Sequence, residues 1–298
     1  MKRLLNCTAS ETRALTKEEL VVAIKANAGR TILAENDVVI PPFSSNVTNS
    51  EVVAAFGADL ILLNCFDFQA PVIIGLDPAD QTPIKTLKKL TGKPIGVNLE
   101  PVDGAASFEG TINQISPGRI ASDENLKRAN EYGFDFICLT GNPSTGVSNK
   151  EISDATKRAK GLFEGVVIAG KMHSAGVSEA VIDMETIDAF AEAGADIILV
   201  PTSGTVPGFT EQQMHACICR IHQQGKLAMS TIGTTQEGAD TATIRELALM
   251  SKRAGADIQH IGDAGFNGTA DPENIMQLSV SIRGKRHTYL KMAQSINR

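Results

Sequence analysis

The feature that most constrains the fold is a five-residue motif that recurs along the chain. Its four forms are Ala-Phe-Gly-Ala-Asp at 55–59, Glu-Tyr-Gly-Phe-Asp at 131–135, Glu-Ala-Gly-Ala-Asp at 192–196 and Arg-Ala-Gly-Ala-Asp at 253–257. The glycines Gly133, Gly194 and Gly255 stand 61 residues apart. A glycine here is typical of a helix end, where the backbone takes positive φ before it turns into a strand. The spacing therefore predicts a repeat of two strand–helix units.

Short β-rich runs alternate with polar–apolar helical segments through the rest of the chain. Eight such runs are present, at 31–34, 60–63, 94–99, 134–139, 166–169, 197–200, 227–232 and 257–261. Alternation of strands and helices over this length is typical of a parallel sheet covered by helices. Eight units predict a single (β/α)8 TIM barrel.

We expect one domain over residues 1–298, in three parts. Residues 1–29 form an N-terminal helical extension, in which Thr16 and Glu19 make a capping box, and this helix plugs the bottom of the barrel. Residues 30–282 hold the eight units. Residues 283–298 form an extended, basic C-terminal helical tail, which we interpret as a solvated helix face.

Composition excludes several classes of partner. The net charge of −6 and the pI near 5.5 argue against nucleic-acid binding. No apolar stretch approaches the 18 residues that would indicate a membrane span, and no signal peptide is evident. Five cysteines, an odd number without metal-site spacing, favour a reducing compartment. We expect a cytoplasmic homo-oligomer without nucleic-acid or membrane partners.

Two glycine-rich turns follow the seventh and eighth runs, and they predict a phosphate site. Gly233 and Thr234 lie in the first turn, and Gly262, Asp263 and Gly265 lie in the second. Glycines let backbone N–H groups approach an anion, and the helix beginning at 271–272 adds its positive end. The loops after strands seven and eight hold phosphate in many barrels of this kind. The alternative is that both are ordinary strand-to-helix turns.

Two strands supply candidate catalytic residues. Alternation along 95–100 points Asn98 and Glu100 into the barrel, and the same argument points Lys171 and His173 inward after the fifth run. A lysine in a barrel needs either a partner or a lowered pKa, and a lowered pKa suits a Schiff base or a general base. The alternative is a structural ion pair between Lys171 and Glu100. We expect His260 to be a satisfied core histidine.

Other polar residues follow the remaining runs. Substrate-binding candidates are Asn64, Asn98, Thr140 and Thr202. We expect no cofactor, with Mg²⁺ held by Glu35, Asp67 and Glu100 as the alternative. The segment 101–123 is rich in Gly and Ser and is a candidate lid, from which Arg119 would reach a substrate anion.

Taken together, the eight units and the glycines after the last two resemble phosphate-binding TIM barrels of the ribulose-phosphate-binding type. More weakly, Gly96-Val97-Asn98, Lys171-Met172-His173 and the run 202–205 are similar to the BtpA group. Aspartate clusters of the phosphoenolpyruvate mutase and isocitrate lyase barrels are not evident, which makes that membership the less favoured interpretation.

Three functional hypotheses follow. The first is an enzyme that acts on a small phosphorylated carbonyl metabolite by lyase, aldolase or isomerase chemistry at the C-terminal face of the barrel. In it, Lys171 is electrophile or base, and Glu100 and His173 move protons. The second is a Mg²⁺-dependent lyase or mutase of the phosphoenolpyruvate mutase type. The third, which the BtpA resemblance implies, is a non-catalytic barrel that binds a ligand or a partner.

Overall fold

Eight parallel strands close into a barrel in which each strand pairs with the next and β8 pairs with β1. The computed structural model describes residues 2–102 and 113–298, so part of the expected lid lies outside the described residues. The strands are β1 Thr31–Asp37, β2 Leu60–Asn64, β3 Ile95–Leu99, β4 Phe136–Leu139, β5 Val166–Ala169, β6 Ile197–Pro201, β7 Leu227–Ile232 and β8 Ile258–Ile261. The predicted (β/α)8 barrel is confirmed.

The helices surround the barrel and connect its strands. They are α1 Ala9–Arg13, α2 Lys17–Lys25, α3 Asn49–Ala55, α4 Pro83–Thr91, α5 Asp123–Tyr132, α6 Asn149–Leu162, α7 Met184–Ala193, α8 Glu211–Gln223, α9 Thr241–Ala254 and α10 Pro272–Ala293. Gly133, Gly194 and Gly255 end α5, α7 and α9 with positive φ, as the motif predicts. Within the described ranges, no helix has the length and apolar character needed to cross a membrane.

Two hydrophobic clusters separate the inside of the barrel from its outside. The inner cluster contains Leu33, Phe136, Ile168 and Met229, and Leu20 of α2 packs with it. The outer cluster fills the space between the strands and the surrounding helices. Because α2 contributes to the inner cluster, the predicted plug at the bottom of the barrel is confirmed.

One close approach inside the barrel requires glycine. A Cβ added at Gly96 would overlap the ring of Phe136 on the neighbouring strand β4. The ring therefore fills the space beside β3, and Asn98 and Glu100 lie above it on the same inward-facing alternation. The inward direction predicted for β3 is confirmed, since Ile95, Val97 and Leu99 belong to the outer cluster.

The bottom of the barrel is tied to the C-terminal helix by a buried ion network. Arg283 Nη1 lies 2.6 Å from Asp59 Oδ2, and Lys291 Nζ lies 3.6 Å from Asp59 Oδ1. Burial opposes the charge of Asp59, but Arg283 and Lys291 outweigh it and lower the pKa of Asp59. The interpretation of 283–298 as a solvated face is therefore wrong for Arg283 and Lys291, which are each 5% exposed. Charge count alone does not show which side of a helix a cation occupies.

We predict that Arg283→Met destabilises the fold by about 3–5 kcal/mol, because Asp59 would remain charged in the interior without its partner. Urea unfolding at pH 7 measures the change. Lys285→Met is the matched control, since Lys285 is exposed just beyond the kink at Gly284 that divides α10, and it should change stability by less than about 0.5 kcal/mol. Equal stability of the two variants would contradict this account of the network.

Candidate functional site

Polar side chains collect at the C-terminal ends of the first strands, in a region that we call the mouth. Glu35 of β1, Asn64 of β2 and Asn98 of β3 are buried there. Glu100 follows β3 and Thr140 follows β4, and both are also buried. Below this level the interior is apolar, so the mouth is a polar layer above a hydrophobic barrel core.

Glu35 is a buried acid of the mouth, with 4% of its surface exposed. Its Oε1 accepts a hydrogen bond from Asn98 Nδ2 at 2.5 Å, and its Oε2 lies 3.1 Å from His260 Nε2. Burial raises the pKa of Glu35 to about 8, and burial lowers the pKa of His260 to about 4. Glu35 is therefore mostly protonated at pH 7, beside a neutral imidazole. His260 is buried as expected, but the prediction of a satisfied core histidine is wrong, because neither ring nitrogen has a hydrogen-bond partner among the described residues.

A second acid, Asp263, lies in the loop after β8. Its Oδ2 accepts from Asn64 Nδ2 at 2.9 Å. Burial and the nearby Glu35 raise the pKa of Asp263 to about 7. Asn64 also exchanges two amide hydrogen bonds of 3.0 Å with Asn142, so its amide is fully used in holding the mouth together.

Glu100 is held differently from Glu35. Arg119 Nη2 donates to Glu100 Oε1 at 2.6 Å, and the backbone N–H and side-chain amide of Asn142 donate at 2.9 and 3.0 Å. This carboxylate is therefore fully paired. Arg119, which the sequence places on a lid to meet a substrate anion, instead meets Glu100.

The predicted direction of Lys171 is wrong. Val166 and Ile168 of β5 belong to the inner cluster, with Met172 packed against it, whereas Val167 and Ala169 belong to the outer cluster. By alternation, Lys171 therefore lies on the outer side, like Val167 and Ala169. All four residues of β5 are apolar, so the strand is buried on both faces and its alternation carries no signal of direction.

Lys171 pairs with Glu179 rather than with Glu100. Its Nζ lies 2.5 Å from Glu179 Oε1 and donates to the carbonyl of Val147 at 3.2 Å. Burial lowers the pKa of Lys171 and the pairing with Glu179 partly restores it. The ammonium group thus joins the loops that follow β4 and β5, and the alternative Lys171–Glu100 ion pair is also wrong.

His173 lines a cavity of about 540 Å³ between the loops that follow β5, β6 and β7. Its Nδ1 accepts the N–H of Ala175 at 3.0 Å, so the neutral ring carries its proton on Nε2. Burial lowers the pKa of His173, which keeps the ring neutral. Ser174, Thr205, Thr234 and Gln236 are polar residues of the same lining, and Val181, Ile182 and Phe209 are among its apolar ones.

The two glycine-rich turns differ from the predicted phosphate cradle. A Cβ at Gly233 would meet the sulfur of Met172, and one at Gly265 would lie 2.5 Å from the carbonyl oxygen of Thr269. At Gly262 it would lie 2.6 Å from Glu237 Oε1, which accepts the N–H of Ala264 at 3.1 Å. Close internal packing explains all three glycines.

Glu237 is the site residue that sequence reasoning missed. It is 2% exposed, its Oε2 has no hydrogen-bond partner among the described residues, and burial raises its pKa. It sits in a short 3-10 turn, Gln236–Gly238, where no periodic pattern marks a residue as buried. The only available signal was an acid inside a glycine-rich turn.

Two further predictions concern Thr202 as a substrate-binding residue and Glu35, Asp67 and Glu100 as a metal site. Thr202 lies in a hydroxyl cluster with Ser230 and Ser251 of α9, on the helix-facing side of the barrel. Asp67 accepts the N–H groups of Gln69 and Ala70 in its own loop, apart from Glu35. The structure therefore does not support the predicted set Glu35, Asp67 and Glu100 as a metal site. Residues 2–102 and 113–298 contain no group of three or more His, Cys, Asp or Glu side chains arranged to bind a metal.

Fold and site together define a (β/α)8 barrel with buried carboxyl and amide groups at its C-terminal mouth. Residues 5–298 match the family described as "Domain of unknown function (DUF7916)", and the chain belongs to that family. No curated protein matches the chain.

Solved structures are similar to the chain in fold. A structure of 2,3-dimethylmalate lyase, a PEP mutase/isocitrate lyase superfamily member, aligns with a TM-score of 0.50 and 13% identity over 84% of this chain and 82% of that one. RipC from Yersinia pestis aligns with a TM-score of 0.46 and 11% identity over 85% of this chain and 94% of that one. At these identities the likeness to the lyase extends to the barrel fold alone.

We predict that Lys171→Met loosens the loops after β4 and β5, because Glu179 and the Val147 carbonyl lose a charged donor. The expected loss of stability is about 1–3 kcal/mol. Hydrogen exchange should accelerate in residues 144–149 and 174–179. Lys150→Met, whose side chain is 75% exposed on α6, is the control. Unchanged exchange in both loops of the Lys171 variant would contradict the conclusion that Lys171 joins the loops after β4 and β5.

Proposed function

We propose that the chain is an enzyme of the lyase class that acts on a small carbonyl metabolite at the mouth, with Glu35 as its general acid. The observation that carries the proposal is the burial of Glu35, which is 4% exposed and accepts a hydrogen bond from the Asn98 amide. Burial raises its pKa to about 8. A carboxyl group with a pKa near the working pH can deliver a proton in a transition state. The barrel fold shared with 2,3-dimethylmalate lyase supports the choice of the lyase class for this proposal.

The proposed chemistry needs a group that neutralises charge on a substrate oxygen. When a bond next to a carbonyl breaks, negative charge develops on the carbonyl oxygen, and a protonated acid in a water-poor site stabilises it. Asn98 fixes the carboxyl orientation of Glu35 at one oxygen. Glu100 acts indirectly in this scheme, because it positions Asn142 and Arg119.

The cavity beside His173 is the proposed place for the rest of the substrate. Nε2–H of His173 is available as a donor, since Nδ1 is occupied by the N–H of Ala175. Thr234 and Gln236 line the same cavity. This arrangement replaces the proton-transfer role that the sequence predicts for His173 with a binding role. A phosphoryl group is better placed here than beside Gly262, where the Glu237 carboxylate already accepts an N–H group and would repel it.

A metal-assisted reaction is the second candidate, favoured by unpartnered oxygen atoms at the mouth. Asn98 Oδ1, Thr140 Oγ1 and Glu237 Oε2 are buried and have no hydrogen-bond partner in the described part of the chain. Mg²⁺ is often bound by one or two carboxylates together with water and substrate oxygens. Glu35 and Asp263 would hold it, and it would polarise the substrate carbonyl. Loss of activity on EDTA treatment, restored by Mg²⁺, supports this candidate, and activity that persists in EDTA contradicts it.

We predict that Glu35→Gln lowers kcat/KM at least about 100-fold, because the amide keeps the shape of the side chain but has no acidic proton. Substrates are sought by incubating the protein with a cell extract and with small 2-oxo acids and phosphorylated ketones in D₂O, and following consumption and deuterium incorporation by mass spectrometry and ¹H NMR. Glu124→Gln, altered at a side chain that is 76% exposed, is the matched control.

The pH dependence of kcat/KM shows whether Glu35 acts as an acid. Glu35 is protonated below its pKa of about 8, so an acid role predicts that kcat/KM falls as pH rises through 8. A folded Glu35→Gln protein with undiminished activity would remove Glu35 from the chemistry. A wild-type protein that consumes no metabolite but retains a bound ligand would favour the non-catalytic barrel instead.

A further inference from the structure

A second cavity lies at the opposite end of the barrel from the mouth. It has a volume of about 210 Å³, which is room for about seven water molecules. Asp59 precedes β2, Lys93 precedes β3 and Lys291 comes from α10, and all three line it. Thr91, Gln294 and Ser295 add neutral polar groups. None of these residues takes part in the function proposed for the mouth.

Positive charge is in excess around this cavity. Arg283 and Lys291 face Asp59, and Lys93 stands near both cations. Within residues 2–102 and 113–298, the ammonium group of Lys93 has no hydrogen bond and no ion pair. The other acid in the lining, Glu51, already accepts from the N–H and hydroxyl groups of Thr48. Lys93 is only partly buried, and its ammonium group, beside two other cations, is free to contact an anion.

Asp59 provides an independent observation that points to a ligand. Its Oδ2 accepts from Arg283 and from the N–H of Ile32. Its Oδ1 has no hydrogen bond within the described residues and lies 3.6 Å from Lys291 Nζ, although Asp59 is only 2% exposed. A buried acceptor without a donor destabilises the fold, and a ligand that donates a hydrogen bond to it removes that cost. The cavity therefore presents a buried carboxylate oxygen that pairs with Lys291 at 3.6 Å but accepts no hydrogen bond within the described residues, together with the partly buried ammonium group of Lys93.

We propose that this cavity binds a small oxyanion that carries an O–H group, of which inorganic phosphate is the simplest example. Lys93 and Lys291 contact the oxygens of the anion, and Asp59 Oδ1 accepts its O–H. Sulfate has the same shape but no O–H at neutral pH, so the unpaired carboxylate oxygen repels it. The site would hold the N-terminal segment, the α4–β3 turn and α10 together around the anion.

The charge of Lys93 gives the site a pH dependence. Burial, followed by the charge of Lys291, lowers the pKa of Lys93 to about 8. Asp59 opposes this shift and Arg283 adds to it. Cys7, also in the lining, stays neutral because burial raises its pKa. Loss of the Lys93 proton between pH 7 and pH 9 weakens phosphate binding, while conversion of H₂PO₄⁻ to HPO₄²⁻ in the same range strengthens it.

Isothermal titration calorimetry of the full chain with phosphate and with sulfate, at equal ionic strength and pH 7, tests the proposal. Wild type should bind phosphate at least tenfold more tightly than sulfate. Lys93→Met should weaken phosphate binding at least tenfold, because it keeps the stem and removes the charge. Lys89→Met is the matched control, since Lys89 is exposed on α4 outside the cavity, and it should leave the affinity unchanged.

Three results would overturn the proposal: no phosphate binding by wild type, equal affinity for phosphate and sulfate, or full affinity in folded Lys93→Met. If phosphate binding is lost in Glu35→Gln and kept in Lys93→Met, the anion binds at the mouth, and the proposed site at the bottom of the barrel is rejected. If Lys93→Met does not fold, Lys93→Gln decides, and full phosphate affinity in the folded Lys93→Gln protein contradicts the site.

Discussion

The mouth of the barrel depends on the burial of one carboxyl group, Glu35, which pairs with no Lys or Arg side chain among residues 2–102 and 113–298. Burial raises its pKa to about 8, and the acids nearby, Glu237 among them, add to the shift. Arg119 forms its ion pair with Glu100 and so does not balance the charge of Glu35. A protonated acid beside the amide of Asn98 is the consequence, and the proposed proton transfer depends on it.

The pKa of a buried acid shifts in opposite directions at the two ends of the barrel. At the bottom, Arg283 and Lys291 lower the pKa of Asp59, and the ionised pair ties α10 to the barrel. At the mouth, amides surround Glu35 and Asp263, and both pKa values rise. Ion pairing suits a structural role because it fixes one protonation state, whereas an uncompensated acid can change state near neutral pH.

The fold could be predicted because its signal is repeated: Gly133, Gly194 and Gly255 mark helix ends at equal spacing. Inward residues of β3 could be predicted because Gly96, Asn98 and Glu100 alternate with apolar residues. The direction of the Lys171 side chain could not be predicted, since all four residues of β5 are apolar and their alternation does not show which face is inward. Glu237 was missed because burial of a turn residue depends on the packing of the β7 and β8 loops, which no local pattern records.

The pKa of Glu35 is the quantity that tests the account most directly. Protein labelled with ¹³C at the glutamate carboxyl carbons can be titrated by NMR, with the Glu35 resonance assigned as the one absent from Glu35→Gln. The account predicts a midpoint near pH 8 for this resonance. A midpoint near the ordinary value of 4.5 would show that Glu35 is ionised at neutral pH and would contradict its role as a general acid.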